Sequence, residues 1–177
     1  MTWLMHRRKS VHHCKKRAMD QSKPGSSSAH IPPPLLFLLG YIAGEGLELI
    51  VPLPLSRLIS VRAGEMLGAF FLALGFIVAL VSVATFLAAK TTPIPYRRAA
   101  TLVTWGPYRL SRNPMYMGVT LIYLGVAVLR FVLWPVLLLP VLLAVLNYFV
   151  IPQEETILRA AFGAAYEKYC ARVRRWL

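Results

Sequence analysis

The sequence predicts an all-α integral membrane protein: a helical bundle of about four transmembrane helices with an amphipathic helix at its C-terminal end. Three observations predict it. Charged residues make up 15% of the 177 and hydrophobic ones 57%, whereas a soluble domain carries about 25% charge. The apolar residues come in long blocks rather than at the period of a half-buried helix or strand. The basic residues sit between and beside those blocks, where membrane topology needs them.

Residues 1–30 are polar and basic, end in Pro24-Gly25-Ser26-Ser27-Ser28, and read as a disordered tail able to rest on anionic lipid. Its His12, His13 and Cys14 lack the spacing of a metal site, and none is expected. Met19 offers an alternative start to the chain. Residues 31–177 form the membrane domain. The first span covers about 33–51 and ends at Pro52-Leu53-Pro54, which resists continuing a helix. The second covers about 65–89, and a polar stretch follows to residue 113. The third runs over 114–129 and the fourth over 131–151, because one helix across both would be ~57 Å long. Arg130 and Pro135 mark the hairpin between them. After Pro152, Ile157, Leu158, Ala161, Phe162, Ala165, Tyr166 and Tyr169 recur at helical spacing, which predicts an amphipathic helix over 153–172.

The net charge of +13 does not indicate a nucleic-acid partner, because outside the tail the cations flank apolar blocks. Seventeen Lys and Arg fall in the tail, the 90–113 loop and the C-terminal segment; Arg57, Arg62 and Arg130 fall on the other side. That asymmetry puts both termini and the 90–113 loop in the cytoplasm. Cys14 and Cys170 both lie there, so no structural disulfide is expected. The first apolar block holds Glu45 and Glu48 and does not resemble a cleavable signal.

Candidate chemistry concentrates in Gly106-Pro107-Tyr108-Arg109-Leu110-Ser111-Arg112-Asn113-Pro114. Asn113 followed by Pro114 and an apolar run is a helix start, with Asn113 as N-cap. Free amides and the helix dipole there favour an anion, and Arg109 and Arg112 add positive charge. The plainer reading is a capped membrane helix with interfacial arginines. Glu154 and Glu155 are either dipole partners of a helix start, with Glu155 pairing to Arg159, or ligands for hydroxyls or a cationic centre. Glu45 is expected to pair with Arg57 or Arg62. Gly40/Gly44 and Gly64/Gly68 have the spacing of close helix contacts, and Trp105 and Trp134 read as interfacial anchors.

Taken together, Gly106-Pro107-Tyr108, Arg112-Asn113-Pro114-Met115-Tyr116-Met117-Gly118, Glu154-Glu155 and Phe162-Gly163-Ala164-Ala165-Tyr166-Glu167-Lys168-Tyr169 resemble the isoprenylcysteine carboxyl methyltransferase and phospholipid methyltransferase family. The resemblance covers about residues 31–177. It implies a membrane enzyme that takes a methyl group from S-adenosylmethionine, bound on the cytoplasmic side, and passes it to a lipophilic acceptor, with a bacterial inner membrane as the location. The family's His-Pro-x-Tyr-x-Gly motif falls on Asn113, Pro114, Tyr116 and Gly118, so an Asn stands where the family has His. Asn can hydrogen-bond the donor but cannot titrate near neutral pH. By the same resemblance Tyr108, Asn113, Pro114, Tyr116, Gly118 and Glu154 bind the cofactor, with Gly118 leaving room beside the helix for adenosine. Glu155, Arg109 and Arg172 are the expected catalytic residues, the arginines orienting the acceptor. Tyr166 and Tyr169 match the family's following aromatic positions. The competing readings are a membrane reductase of the sterol type and a non-enzymatic scaffold or small transporter.

Overall fold

Proline and glycine set where the helices start and stop. The computed structural model describes residues 32–89 and 101–177; the tail at 1–30 and residues 90–100 of the polar loop lie outside the described residues. Helix α1, Pro33–Ile50, opens on prolines that its first turn tolerates and ends just before Pro52. Helix α2, Val61–Ala88, starts four residues earlier than the hydropathy suggests, because the Ser60 hydroxyl accepts a hydrogen bond from the Ala63 amide and caps the first turn. Helix α3 is Pro114–Leu129, as expected. Apolar side chains along α1 and α2, among them Leu38, Ile42, Phe70, Ile77 and Leu80, are more than half exposed, as a lipid-facing surface requires.

Helix α4, Leu133–Val145, does not stop near residue 151. It runs through one π turn, Leu146–Val150, into helix α5, Ile151–Phe162. Pro152 has no amide to give the carbonyl four residues back, and the wider turn absorbs that loss without a break. The expected amphipathic helix over 153–172 is therefore two pieces. Its first part continues the fourth span, and its second is helix α6, Ala164–Arg172. Between them stands Gly163 at φ +50°, a backbone conformation that side-chain-bearing residues seldom adopt.

Among the described residues, three helical stretches are long and apolar enough to cross a membrane: Pro33–Ile50, Val61–Ala88 and Leu133–Phe162. Helix α3, with 16 residues, is about 24 Å long, short of the ~30 Å hydrocarbon core. It lies along α2, while α1 packs on α4. The Leu133–Phe162 stretch has 30 residues and is ~45 Å long, so α5 projects beyond the hydrocarbon.

At the end of the bundle away from α5 the turns are tied together. The Leu55 amide donates to the Phe131 carbonyl at 2.8 Å, and the Trp134 indole N–H to the Val51 carbonyl at 2.7 Å. Pro135 falls in the first turn of α4, and the reversal itself is made by Phe131 at φ +56°. Glu45 accepts from the Tyr41 hydroxyl at 2.7 Å and stands 3.8 Å from Arg130, so its partners are not Arg57 or Arg62.

The α2–α3 contact is backbone against backbone. A Cβ at Gly75 would sit 2.7 Å from the Ile122 nitrogen, and one at Gly118 2.8 Å from the Ala79 nitrogen. Without a hydrophobic drive between helices in lipid, such close approach is what holds them together. Gly75→Val is expected to lower the melting temperature in detergent, at a cost of ~1–3 kcal/mol of overpacking. Gly46→Ala, whose Cβ meets nothing within 4 Å, should leave it unchanged.

Candidate active site

Three segments meet at the projecting end of the fourth span: the 101–113 loop, α5, and α6 with the chain's last residues. A short 3₁₀ turn, Gly106–Arg109, presents Tyr108 to the end of α2, where its ring meets Phe86 edge-on at 5.0 Å. The Tyr169 hydroxyl donates to the Tyr108 carbonyl at 2.7 Å and joins α6 to this turn.

Glu155 is the electrostatic centre. It is 5% exposed, and both carboxylate oxygens are taken. Arg175 grips them in fork geometry, Nε to Oε1 at 3.0 Å and NH2 to Oε2 at 2.8 Å. Arg112 approaches Oε1 at 3.1 Å, and Arg159, one turn along α5, reaches Oε2 at 3.4 Å. The Arg159 pairing is the one foreseen from spacing. Arg175 also donates to the side-chain and backbone oxygens of Asn147, in the π turn, at 3.1 and 3.2 Å. Trp176 adds an indole N–H to the same side chain at 3.3 Å. Burial pushes the Glu155 carboxyl up, but Arg175, Arg112 and Arg159 together outweigh it and hold the carboxyl below the ordinary glutamate range.

The helix start at Asn113 differs from expectation. Asn113 holds the N-cap position but its side chain makes no cap. Its amide instead donates to the Arg175 carbonyl at 3.0 Å, and the Ser111 hydroxyl donates to that carbonyl at 3.1 Å. The Arg175 carbonyl, brought in by the C-terminal segment, thus takes both donors that the loop offers. The Arg112 amide donates to the Arg174 carbonyl at 3.0 Å. Arg112 faces Glu155, Arg109 points elsewhere, and the anion pocket suggested by their spacing does not assemble here.

Glu154, the neighbour of the clamped acid, accepts a 2.5 Å hydrogen bond from the Tyr116 hydroxyl across α3 and α5. Burial raises its carboxyl above the ordinary range, against that hydrogen bond, and the Glu155 charge adds to the rise. A narrow cavity of about 80 Å³ is lined by Tyr108, Arg112, Asn113, Glu154 and Glu155 together with Phe86, Tyr166 and Tyr169. Tyr108 is 5% exposed, and its hydroxyl is buried with no hydrogen-bond partner among the described residues. Burial also lifts the Tyr108 pKa, with the charges on Tyr169 and Glu154 adding to it, so this hydroxyl stays protonated. Beside the cavity an open cleft of about 710 Å³ contains Arg109, Lys168 and Arg172. The two share Thr101, Leu102 and Tyr169 in their walls.

Of the residues expected to bind a cofactor, Tyr108, Asn113 and Glu154 line one cavity, and Tyr116 supports Glu154 from behind. Pro114 is buried as the first residue of α3. Gly118 is a correction: it faces Ala79 and Gly75 of α2, so it makes room for a helix and not for adenosine. Of the expected catalytic residues, Arg109 and Arg172 stand in the open cleft, and Glu155 is enclosed by arginines. Arg175, Ser111 and Asn147 were missed. The Arg174-Arg175 pair was visible only as charge, and nothing local marks which arginine turns inward.

The chain is thus a helical membrane protein with a buried polar pocket at one end of its bundle. The model of the phospholipid methyltransferase family matches residues 64–165, and the chain belongs to that family: it is a membrane methyltransferase. The match takes in Tyr108, Asn113, Glu154 and Glu155 and stops just short of Tyr166. Neither the curated proteins nor the solved structures yield a match.

Removing one partner of a buried ion cluster strands the others. Arg175→Ala is expected to cost ~3–5 kcal/mol of stability, and Arg159→Ala much less, measured by thermal unfolding in detergent. Because the folded Glu155 carboxyl is lowered, its contribution is full above the unfolded pKa near 4.5 and is lost as pH falls through the folded value. Glu155→Gln should remove that part of the acid dependence of the melting temperature.

Proposed function

We propose that the narrow cavity holds S-adenosylmethionine and that the chain transfers its methyl group to a membrane-embedded acceptor on the cytoplasmic face. One observation carries the reading: the Tyr108 hydroxyl, without a hydrogen-bond partner among the described residues, is buried in a cavity whose wall also holds Asn113, Glu154, and Glu155 with its Arg112. A buried hydroxyl without a partner costs free energy in the empty protein, and a bound polar ligand would recover it. The donor set suits this cofactor. Glu154 is acidic and faces a ligand with sulfonium and ammonium charges, Asn113 and Tyr108 offer hydrogen bonds, and Phe86, Tyr166 and Tyr169 offer ring faces to a purine. The cavity is narrower than a nucleoside, so the reading requires its walls to part on binding.

When bound, the cofactor would supply a methyl carbon activated by sulfonium, open to attack by an acceptor lone pair as the carbon–sulfur electron pair returns to sulfur. The protein's task is then positioning and exclusion of water. Glu154, held by Tyr116, would fix the cationic part of the donor. Glu155 does not touch the reacting atoms in this reading; with its arginines it positions Glu154 and Asn113. Asn113 accepts no proton, so an acceptor that must lose one would release it to water or lipid headgroups. The abundance of Lys and Arg on this side of the bilayer supports a cytoplasmic site.

Membranes containing this chain are expected to transfer labelled methyl from S-adenosylmethionine to a lipophilic product identifiable by mass spectrometry. Glu154→Gln should lower that transfer by ~10²-fold, the scale of losing a positioning contact, while the fold persists. Tyr108→Phe separates the cavity's role from stability. It should raise the melting temperature of the empty protein, by up to ~1 kcal/mol of recovered desolvation, while weakening S-adenosylmethionine binding measured calorimetrically. Unchanged donor affinity in that variant would refute the pocket assignment.

A further inference from the structure

The π turn at Leu146–Val150 holds Asn147, the one amide side chain between Leu133 and Ile151. Within the turn the helix register widens from four residues to five, and the Ile151 amide donates to the Leu146 carbonyl. Next in that register is Pro152, which brings no amide, and the carbonyl it would meet is that of Asn147. The wider turn leaves this carbonyl open on the side of the helix, and Arg175 Nη1 fills it at 3.2 Å. The Asn147 side chain extends the same contact. Its Oδ1 accepts from Arg175 Nη1 at 3.1 Å and from the Trp176 indole N–H at 3.3 Å. Trp176 in turn packs against the cluster of Phe37, Leu142 and Leu146. The turn is thereby a socket for two consecutive residues of the C-terminal segment.

From that socket Arg175 reaches the cavity in two ways. Its guanidinium forks onto Glu155, and its carbonyl receives the Asn113 amide and the Ser111 hydroxyl. Asn113 and Glu155 both line the narrow cavity, and neither Asn147 nor Pro152 does. We propose that Asn147 and Pro152 are positioning residues for that cavity, acting through Arg175 on Asn113 and Glu155. What the cavity binds rests on the transfer reading above. An amide side chain and a missing backbone donor inside a span are each costly in lipid. An alanine at position 152 would bring a donor from within the helix. The proline instead hands the carbonyl to a guanidinium 28 positions along the chain. A shift of the socket is then passed on by hydrogen bonds alone: to Asn113 at 3.0 Å through the Arg175 carbonyl, and to Arg112 at 3.0 Å through the Arg174 carbonyl.

The test uses the full chain purified in maltoside micelles and titrated calorimetrically with S-adenosylmethionine. Thermal unfolding and hydrogen exchange of the peptide bearing the Arg112 amide are followed on the same samples. Pro152→Ala supplies an amide that competes with Arg175 and lets the turn tighten. It is expected to keep or raise the melting temperature, because alanine suits a helix interior, while speeding exchange at Arg112 and weakening donor affinity ~10-fold. Asn147→Leu should weaken the affinity to a similar degree, and Asn147→Asp, which keeps an oxygen for Arg175 and Trp176, should retain most of it. Pro140→Ala, at the exposed proline inside α4, should leave affinity and exchange unchanged. Unchanged affinity in Pro152→Ala, an equal loss in Pro140→Ala, or a loss in Asn147→Asp as large as in Asn147→Leu would each overturn the proposal. A lower melting temperature in Pro152→Ala would make its role structural and overturn it as well. If the wild type binds no S-adenosylmethionine, the transfer reading falls and the exchange measurement decides alone. Faster exchange at Arg112 in Pro152→Ala than in Pro140→Ala then upholds the coupling of turn to cavity wall, and equal exchange overturns it.

Discussion

One carboxylate, Glu155, is held by three guanidinium groups drawn from three separate parts of the chain. Arg112 comes from the loop before α3, Arg159 from the next turn of α5, and Arg175 from the C-terminal segment. Such a cluster is stable only while complete, because a buried charge without its partners costs several kcal/mol. The other features of this end of the bundle follow from it. With Arg175 anchored on Glu155 and Asn147, its carbonyl falls within reach of Ser111 and Asn113, and the loop is fixed against the chain's last residues. The cluster therefore sets where the cavity walls stand.

Neighbouring acids have been given different work by their surroundings. Glu155 is kept ionised by arginine, whereas Glu154 meets, among the described residues, a tyrosine hydroxyl and a cavity, so burial raises its carboxyl. The family model covers the helices and the acid pair but ends before α6. The segment beyond it supplies Arg175, Lys168 and Arg172, which are the clamp and two of the three cleft cations. The part of the chain that closes the site is thus also the part that sets the charge of its outer opening.

The membrane helices themselves act as a frame. Glycines bring α2 and α3 into backbone contact, and the π turn lets the last span carry its polar end past the hydrocarbon without interruption. The fourth span, expected to end at residue 151, continues through Pro152, because a wider turn upstream removes the need for the missing amide. Gly163 is the true break, and its positive φ redirects α6 across the site.

The sequence alone determined the class of protein, the starts and ends of α1 and α3, the Glu155–Arg159 pair and the neighbourhood of the site. These depend on hydropathy and on contacts one turn apart, and both are written locally. Only the tertiary structure decided that Gly118 faces a helix and not a ligand, that Asn113 turns to the Arg175 carbonyl and not to its own helix, and that Arg109 and Arg172 share a cleft while Arg112 and Arg175 share an acid. Each of those outcomes is set by which helices meet and at what rotation. A side chain's partner 20 or 60 positions away leaves no trace in the residues beside it.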